Sequence, residues 1–310
     1  MEGSEVLRGF TIERILSSDE RTKYISVLGR YSGQDGRSVV ILRRRHFEQS
    51  TLPRLLSPET HAELHFRNDI YAKYTGMIPQ DLGEVSIDII NPATDKHISK
   101  YEDQTYHMVV ETPEVYKLIV RPYIDSIPAS RIQWVYNILE KKAEADRLIF
   151  EDADPETGFL MHPDLKWDER QIEALYCIAM VKRRDIKSLR DLRRHHLPLL
   201  HNILKNGCKA LSMKYGISAE DLRVFCHYQP SYYHLHVHFV HIRCDIGMGM
   251  AIGKAHLLSD IIGNIELLKD YYARCTLEMS LGEKDPLAAR IMTHLPWLRE
   301  LGYQQEFYPE

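Results

Sequence analysis

The sequence predicts a two-domain α+β protein, and three observations lead to that prediction. The chain has 310 residues, of which 44% are hydrophobic, so it is long enough to bury two cores. Strand-like runs separated by turns fill most of the first third of the chain. After Asp125 the pattern changes to helices that alternate with buried-looking strands.

The first domain is predicted over residues 1–115 and is expected to be a small α+β unit. Strand-like runs such as Ser38–Leu42 and Val85–Ile90 alternate with turns. The stretch Glu59–Tyr74 has a helical spacing of apolar residues and is predicted to be a helix. The boundary with the second domain is expected within residues 105–128.

Three helices are predicted in the second domain, residues 116–310. Pro128 opens the first, whose apolar positions run from Ile132 to Leu139 and lead into a charged stretch. A long helix covers His196–Tyr215, and Gly216 follows at the position where helices commonly stop. The third helix is expected over Ala255–Leu268.

Five strands are predicted between and around these helices, and they are expected to form an antiparallel sheet with the helices as its cover. They are Leu148–Glu151, Phe159–His162, Tyr176–Val181, Leu222–Tyr228 and His234–Ile242. The turn DADPETG separates the first two. The second domain therefore has the elements of an α+β fold.

Charge and composition narrow the classes of ligand and compartment. The formal net charge of −4 disfavours a protein that follows a long nucleic-acid backbone and favours a small anionic ligand. The five cysteines are scattered without metal-site spacing, so we interpret them as reduced packing residues. The N-terminal MEGSEVLRGF lacks a signal pattern, and the longest apolar run, Leu175–Val181, is too short for a membrane. We therefore expect a cytosolic protein that is also compatible with the nucleus.

The segment YYHLHVHFVHI, residues 232–242, carries the clearest chemical signal, because histidine and large apolar residues alternate in it. Side chains alternate between the two faces of a strand, so His234, His236 and His238 are expected in a row on one face. A neutral imidazole is a competent nucleophile near neutral pH, and attack on phosphorus would give a covalent intermediate that water hydrolyses. The middle histidine, His236, is the predicted nucleophile, and its neighbours are predicted to orient it and to bind phosphate oxygens.

Two other interpretations of this row stay open. Two histidines two residues apart can share a zinc ion, but a row of ~13 Å cannot bring all three within ~2.0–2.1 Å of one ion. A zinc site would need a carboxylate or another histidine from elsewhere, and no HExxH companion occurs in the sequence. The histidines could also be incidental residues on a solvated strand face.

Residues His234–Val240 match a signature in which three histidines alternate with apolar residues and a further apolar residue follows, so the chain resembles the histidine-triad superfamily. Longer runs resemble the scavenger mRNA-decapping enzymes, the DcpS family. These runs are RIQWVYNILEKKAEADRLIFE (131–151), HPDLKW (162–167), KSLRDL (187–192), HLPLL (196–200) and PSYYHLHVHF (230–239). Upstream, NDIYAKYTG (68–76) and NPATDKHISKY (91–101) are similar to the N-terminal domain of the same family.

The resemblance implies a fold, an assembly and a reaction. It implies a homodimer in which N-terminal domains are exchanged between protomers and act as a lid over a C-terminal histidine-triad domain. It also implies hydrolysis of a capped dinucleotide or short capped RNA to 7-methylguanosine monophosphate and a nucleoside-diphosphate end. No metal or other cofactor, no membrane and no long nucleic acid are expected.

Residue by residue, the resemblance places the nucleophile at His236 and its supporting groups at His234 and His238. It places the 7-methylguanosine contacts at Trp134, Glu144, Pro163, Asp164 and Leu165, and the phosphate contacts at Lys166, His227, Ser231, Tyr232, His238 and Lys254. Contacts to the second nucleoside are expected at Asn68 and Tyr71. An aromatic face and a carboxylate are suitable groups for a cationic methylated base.

One position departs from the family pattern. The relatives carry arginine where this chain has Lys254, and the preceding loop CDIGMGMAIG also differs. Lysine keeps the positive charge but loses the two-pronged contact that arginine makes with a phosphate.

Three other functions are alternatives to this one. A nucleotidyl transferase of the same superfamily typically has glutamine at the position of His238. A short dinucleoside polyphosphate hydrolase lacks the N-terminal half and the context of Trp134 and Glu144. A non-catalytic cap-binding module would keep the fold without needing the complete set of histidines.

Overall fold

The computed structural model describes residues 6–20, 22–45, 47–164, 167, 169–244 and 247–300. The chain divides into two units, Met1–Gln104 and Thr105–Glu310. Helices and antiparallel sheets occur in both, which confirms the predicted α+β class. Within these described ranges, no helix is long and apolar enough to cross a membrane.

The first unit is built on a four-stranded antiparallel sheet in the order β1-β2-β3-β6. Its buried core includes Leu28 and Val39 from the sheet and Ile98 from the following helix. The elements are β1 (Phe10–Asp19), β2 (Tyr24–Tyr31), β3 (Arg37–Arg44), α1 (Leu52–Leu55), β4 (His61–Asn68), β5 (Tyr71–Met77), β6 (Val85–Ala93) and α2 (Asp95–Tyr101). The strands predicted at Ser38–Leu42 and Val85–Ile90 are confirmed as parts of β3 and β6.

The helix predicted over Glu59–Tyr74 is wrong, because β4 and β5 pair there as an antiparallel hairpin. The turn between them contains Asp69 at φ +50°, a conformation that Asn and Asp tolerate better than most residues. All residues of both strands are exposed in this unit. The apolar spacing therefore did not mark a buried helix face.

The second unit contains a six-stranded antiparallel sheet in the order β13-β11-β12-β10-β9-β8 and a two-stranded sheet, β7-β14. Its strands are β7 (Tyr106–Glu111), β8 (Phe150–Glu151), β9 (Phe159–Pro163), β10 (Tyr176–Val181), β11 (Leu222–His227), β12 (His236–His241), β13 (Ala255–Leu257) and β14 (Leu277–Gly282). Its helices are α3 (Pro113–Val115), α4 (Arg121–Ser126), α5 (Gln133–Leu139), α6 (Leu197–Tyr215), α7 (Leu258–Leu267), α8 (Tyr271–Arg274) and α9 (Pro286–Glu300).

Helices cover both faces of the large sheet. Val237 and Phe239 of β12 belong to the main core, together with apolar residues of α6 and α7. On the other face, Leu160 and Met180 pack with Val135 and the rest of the apolar stripe of α5. His236 and His238 alternate with these core residues, so they lie on the same face as α5.

Most predicted elements of this unit are confirmed, but some boundaries are wrong. The strand predicted from Leu148 begins at Phe150. The strand predicted from His234 begins at His236. The helix predicted from Ala255 begins at Leu258, because Ala255–Leu257 pairs with β11 as an edge strand. That pairing uses backbone groups, which apolar periodicity does not reveal.

Candidate active site

A cleft of about 230 Å³ lies between the sheet and α5, and His236 and His238 line it. Their neighbours across the sheet are Met180 and Ile178 of β10, which line the same cleft. Val237 and Phe239 point to the other side and are fully buried. The predicted alternation of imidazoles and core residues is thus confirmed for these four positions.

The ring of His236 has a defined tautomer. Its Nδ1 lies 2.7 Å from the carbonyl oxygen of His234, and a carbonyl can only accept a hydrogen bond. Nδ1 therefore carries the proton and donates, which leaves the lone pair on Nε2. Burial lowers the pKa of His236 to about 3. The imidazole is neutral at pH 7 and has a free electron pair for attack on an electrophile.

Tyr232 fixes the plane of this ring. The two rings stack with centroids 4.1 Å apart and an angle of 15°. Trp134 meets the other side of Tyr232 edge-on at 4.9 Å. The hydroxyl of Tyr232 is buried, and it has no hydrogen-bond partner in the part of the chain that the structure describes. It is therefore a donor at the cleft wall that an anionic oxygen could use.

His227 of β11 brings a third imidazole next to His236 and His238. Ring nitrogens of these three residues lie within 4.8 Å of one another. The zinc interpretation lacked a companion histidine in the sequence, and His227 supplies one. Two ligands of one zinc ion stand at most ~4.2 Å apart at bond lengths of ~2.1 Å, so a metal would require small ring movements. The same three groups can instead surround the oxygens of a phosphate.

His234 does not join this row, because the strand begins two residues later than predicted. Its Nε2 donates to the carbonyl of Val181 at 2.8 Å, and its ring is almost fully buried. The three imidazoles that cluster at the cleft are therefore His227, His236 and His238, and not the predicted row. His234 contacts His236 through its backbone carbonyl, which accepts a hydrogen bond from Nδ1 of His236.

Trp134 and Glu144 line the cleft at the end formed by α5 and the loop after it. Trp134 is 46% exposed, whereas a tryptophan that packs in a helix core would be buried. Glu144 is half-buried, has φ +53° and accepts a hydrogen bond from Arg147 at 3.2 Å. An open aromatic face and a carboxylate thus stand on the same cleft, as the resemblance implied.

The end of β9 forms the remaining wall. Pro163 and Asp164 line the cleft, and the backbone of Asp164 donates to the carbonyl of Tyr176 at 2.8 Å. The predicted contacts Leu165 and Lys166 lie outside the described residues. His162 also lines the cleft, although sequence reasoning did not single it out. Its position two residues after Leu160 on β9, on the face that α5 covers, was the available signal.

Ser231 and Tyr232 form a shared wall between this cleft and a larger cavity of about 760 Å³. Lys254 lines the larger cavity and donates from Nζ to the carbonyl of Gln229 at 2.5 Å. Of the predicted phosphate contacts, His227, Ser231, Tyr232 and His238 are therefore brought together at the small cleft. Lys254 lies beyond the wall they form.

Asn68 and Tyr71, the predicted contacts to the second nucleoside, belong to the first unit. Asn68 ends β4 and Tyr71 begins β5, so both lie at the turn of the hairpin and both are exposed. They pair with each other across the two strands.

Both units resemble known proteins in sequence. Residues 5–104 match the family model described as scavenger mRNA decapping enzyme (DcpS) N-terminal, and residues 133–253 match scavenger mRNA decapping enzyme C-term binding. The m7GpppX diphosphatase of Bos taurus is 43% identical over 286 residues, 91% of this chain and 84% of the relative. The Homo sapiens protein of that name is 42% identical, over 90% of this chain and 84% of its own. That of Ascaris suum is 40% identical, over 92% and 94%.

Together the two family models cover both units, and the second spans the strand that carries His236 and His238 as well as α5 with Trp134. The identities exceed a third of the residues over nine-tenths of the chain. The chain belongs to the scavenger mRNA decapping enzyme family.

Proposed function

We propose that this chain hydrolyses the triphosphate bridge of 7-methylguanosine-capped dinucleotides and short capped RNA fragments, with His236 as the nucleophile. Nε2 of His236 attacks the phosphorus that carries 7-methylguanosine, and the bond from this phosphorus to the bridging oxygen breaks. The nucleoside-diphosphate end leaves. Water then hydrolyses the phosphorus–nitrogen bond, which releases 7-methylguanosine monophosphate and restores the imidazole.

One observation carries the assignment of the nucleophile. His236 is a neutral, carbonyl-oriented imidazole on the floor of a cleft, next to two further imidazoles. These neighbours, His227 and His238, are suited to hold the phosphate oxygens that gain charge during attack. The leaving diphosphate is a stable anion, so the reaction needs little assistance at that oxygen.

The cleft also has the groups that a methylated base requires. A 7-methylguanine ring is cationic, and the exposed face of Trp134 offers a cation–π contact. The carboxylate of Glu144 can accept hydrogen bonds from the edge of the base, and a positive charge strengthens such bonds. This pair supports a preference for methylated over unmethylated caps.

The remaining family properties are extended to this chain as part of the same proposal. The chain acts as a homodimer with exchanged N-terminal units, and the exposed hairpin of β4 and β5 contributes Asn68 and Tyr71 to the second nucleoside. It acts in the cytosol and is compatible with the nucleus. Sedimentation equilibrium tests the dimer, since a monomer at micromolar concentration would contradict it.

The proposed reaction is tested with purified protein and two substrates, the methylated and the unmethylated cap dinucleotide, each with and without a chelator. Product identification by mass spectrometry should give the methylated monophosphate from the methylated substrate, with equal rates in the chelator. His236→Asn should abolish cleavage and keep substrate binding, whereas His241→Asn, on the opposite face of β12, should cleave normally. Transfer of the nucleotide to added phosphate, or equal cleavage of both substrates, would overturn the proposal.

A further inference from the structure

We infer that Glu111, held by Arg190, is a positioning residue for the phosphate-binding turn of the active site, Tyr228–Tyr232, and for Lys254. This inference rests on the proposed function, because the inference assigns the turn and Lys254 to the phosphates of the proposed substrate. Glu111 and Arg190 are each at most 1% exposed, and neither lines the catalytic cleft. Their role in catalysis would be indirect.

The carboxylate of Glu111 is bonded on both oxygens. Oε1 accepts a hydrogen bond from Nε of Arg190 at 2.7 Å and lies 2.6 Å from Nη2 in the ion pair. It also accepts from the hydroxyl of Tyr228 at 2.6 Å, and Oε2 accepts from the side-chain amide of Gln229 at 2.9 Å. One buried carboxylate therefore holds the side chains of two successive residues of the turn.

Arg190 ties this carboxylate to the scaffold of the unit. Its Nη1 donates to the backbone carbonyls of Tyr272 and Cys275 at 2.8 and 2.6 Å, and its Nη2 donates to the carbonyl of Glu111 at 2.9 Å. Glu111 itself is the last residue of β7, which pairs with β14. The Glu111–Arg190 pair is thus fixed to elements outside the cleft, and it holds the turn against those elements.

Tyr228 and Gln229 of this segment also hold Lys254 in place. The backbone N–H of Tyr228 donates to the carbonyl of Lys254 at 2.8 Å, and Nζ of Lys254 donates to the carbonyl of Gln229 at 2.5 Å. The backbone carbonyl and the Nζ of Lys254 are therefore hydrogen-bonded to Tyr228 and Gln229, the two residues that the Glu111 carboxylate contacts. A lysine reaches a phosphate as a single point charge on a flexible stem, so its position depends on such restraints.

The same turn leads directly into the catalytic groups. Ser231 and Tyr232 line the cleft, and the ring of Tyr232 stacks on His236. A shift of Tyr228 and Gln229 would move these groups together with Lys254. A buried ion pair is often no more stabilising than apolar residues of the same size. The hydrogen bonds that Tyr228 and Gln229 make to Glu111 therefore point to a role of the pair in positioning the turn.

The experiment compares two buried tyrosines that each donate one side-chain hydrogen bond. Tyr228→Phe removes a bond to Glu111, whereas Tyr31→Phe removes a bond to the carbonyl of Val6 in the first unit. Calorimetry measures binding of 7-methylguanosine and of its 5′-diphosphate to each protein. We expect Tyr228→Phe to weaken diphosphate binding about tenfold, the usual effect of one buried hydrogen bond to a charged group, and to leave nucleoside binding unchanged.

Tyr31→Phe should bind both ligands like the wild type. Gln229→Met, which removes only the amide contact with Glu111, should shift diphosphate binding in the same direction as Tyr228→Phe and raise KM more than it lowers kcat. Equal weakening of both ligands in either variant, or no change in diphosphate binding, would overturn the inference. The wild type's own hydrolysis of the methylated dinucleotide is measured separately, so failure of the proposed function is recognised independently.

Discussion

At the scale of single residues, His236 differs from an ordinary histidine in its protonation. Burial is the main cause that lowers its pKa to about 3, and the hydrogen bond to the carbonyl of His234 opposes this shift only in part. An exposed histidine with a pKa near ~6.5 would lose its nucleophilic form over the mildly acidic range. The buried His236 keeps the lone pair on Nε2 over that pH range.

A pH profile of kcat/KM follows from this difference, since it reports the essential groups of the free enzyme. Between pH 7 and pH 5, kcat/KM for the methylated dinucleotide should change less than about threefold, because His236 stays neutral. The rates are measured in buffers of constant ionic strength. A tenfold fall per pH unit below pH 6.5 would show that the nucleophile titrates normally and would contradict the assignment.

Glu144 is the residue on which base discrimination should depend. Glu144→Ala removes the carboxylate from the cleft and should reduce the preference for methylated over unmethylated dinucleotide about tenfold, the effect of a hydrogen bond to a charged group. Glu140→Ala serves as the control, because that nearby carboxylate pairs with Lys142 and Arg184 and does not line the cleft. Competition kinetics give the ratio of kcat/KM values. An equal loss on both substrates would remove Glu144 from base recognition.

Sequence reasoning found part of this site by physics and part by resemblance. The alternation in β12 identified His236 and His238 because faces alternate along any strand. Trp134 and Glu144 came only from the resemblance, since a tryptophan on an amphipathic helix would otherwise be assigned to the core. Ile178 and Met180 line the cleft from β10, and no local pattern could show that β10 lies beside β12.

At the scale of elements, the packing of α6 on the sheet depends on a close approach at Gly207. A Cβ at this position would lie 2.8 Å from Cε1 of Phe239 and 3.0 Å from Cε of Met161. Neither neighbour can move freely, because both are fully buried in the main core. The helix can therefore sit at this distance from β12 only if it carries glycine there.

Gly207→Ala should lower the free energy of unfolding by roughly 1–3 kcal/mol, the usual cost of overpacking a core. Gly263→Ala is the matched control, because its Cβ would meet nothing within 4 Å on helix α7. That change should raise stability by roughly 0.5–1 kcal/mol through helix propensity. Urea unfolding followed by circular dichroism measures both. A Gly207→Ala protein as stable as the wild type would contradict the close approach.

Elements were predicted well where a strong local signal marks both ends. The helix α6 was predicted almost to the residue, because its apolar stripe is long and Gly216 adopts φ +71° directly after it. The hairpin of β4 and β5 was mistaken for a helix, because its exposed strands carry no buried face. The edge strand β13 was merged into α7, because three residues are too few to set a period.

At the scale of the whole molecule, several buried histidines make stability depend on pH. Burial lowers the pKa of His196 to about 4 and that of His236 to about 3, and it also lowers the pKa values of His162, His234 and His256. In the unfolded chain these groups titrate near ~6.5. Below that pH the unfolded state binds more protons than the folded state, so stability falls as the pH decreases.

The melting temperature should therefore decline steadily from pH 6.5 to pH 5.5, a range in which ordinary carboxylates stay mostly ionised. His196→Gln should make this decline shallower, because one of the buried imidazoles is gone. His201→Gln, at an exposed position of α6, should leave the slope unchanged. Differential scanning calorimetry across the range measures all three proteins. A melting temperature that is constant over this range would contradict the neutral, buried state of these histidines.

The overall class was predictable, whereas the arrangement of the strands was not. Local patterns distinguish strand-rich from helix-rich segments, and these were sufficient for an α+β assignment. The order β13-β11-β12-β10-β9-β8 depends on pairing between distant segments, such as β10 with β12. Pairing of β11 with β12 brought His227 beside His238 and formed the cluster of His227, His236 and His238.

The stereochemical course at phosphorus tests the central claim most directly. A cap dinucleotide with a chiral phosphorothioate at the phosphorus next to 7-methylguanosine is hydrolysed in isotopically labelled water, and the configuration of the released thiomonophosphate is determined. Attack by His236 followed by attack of water inverts the centre twice, so the account predicts net retention. Net inversion would show that water attacks the phosphorus directly and would contradict a covalent role for His236.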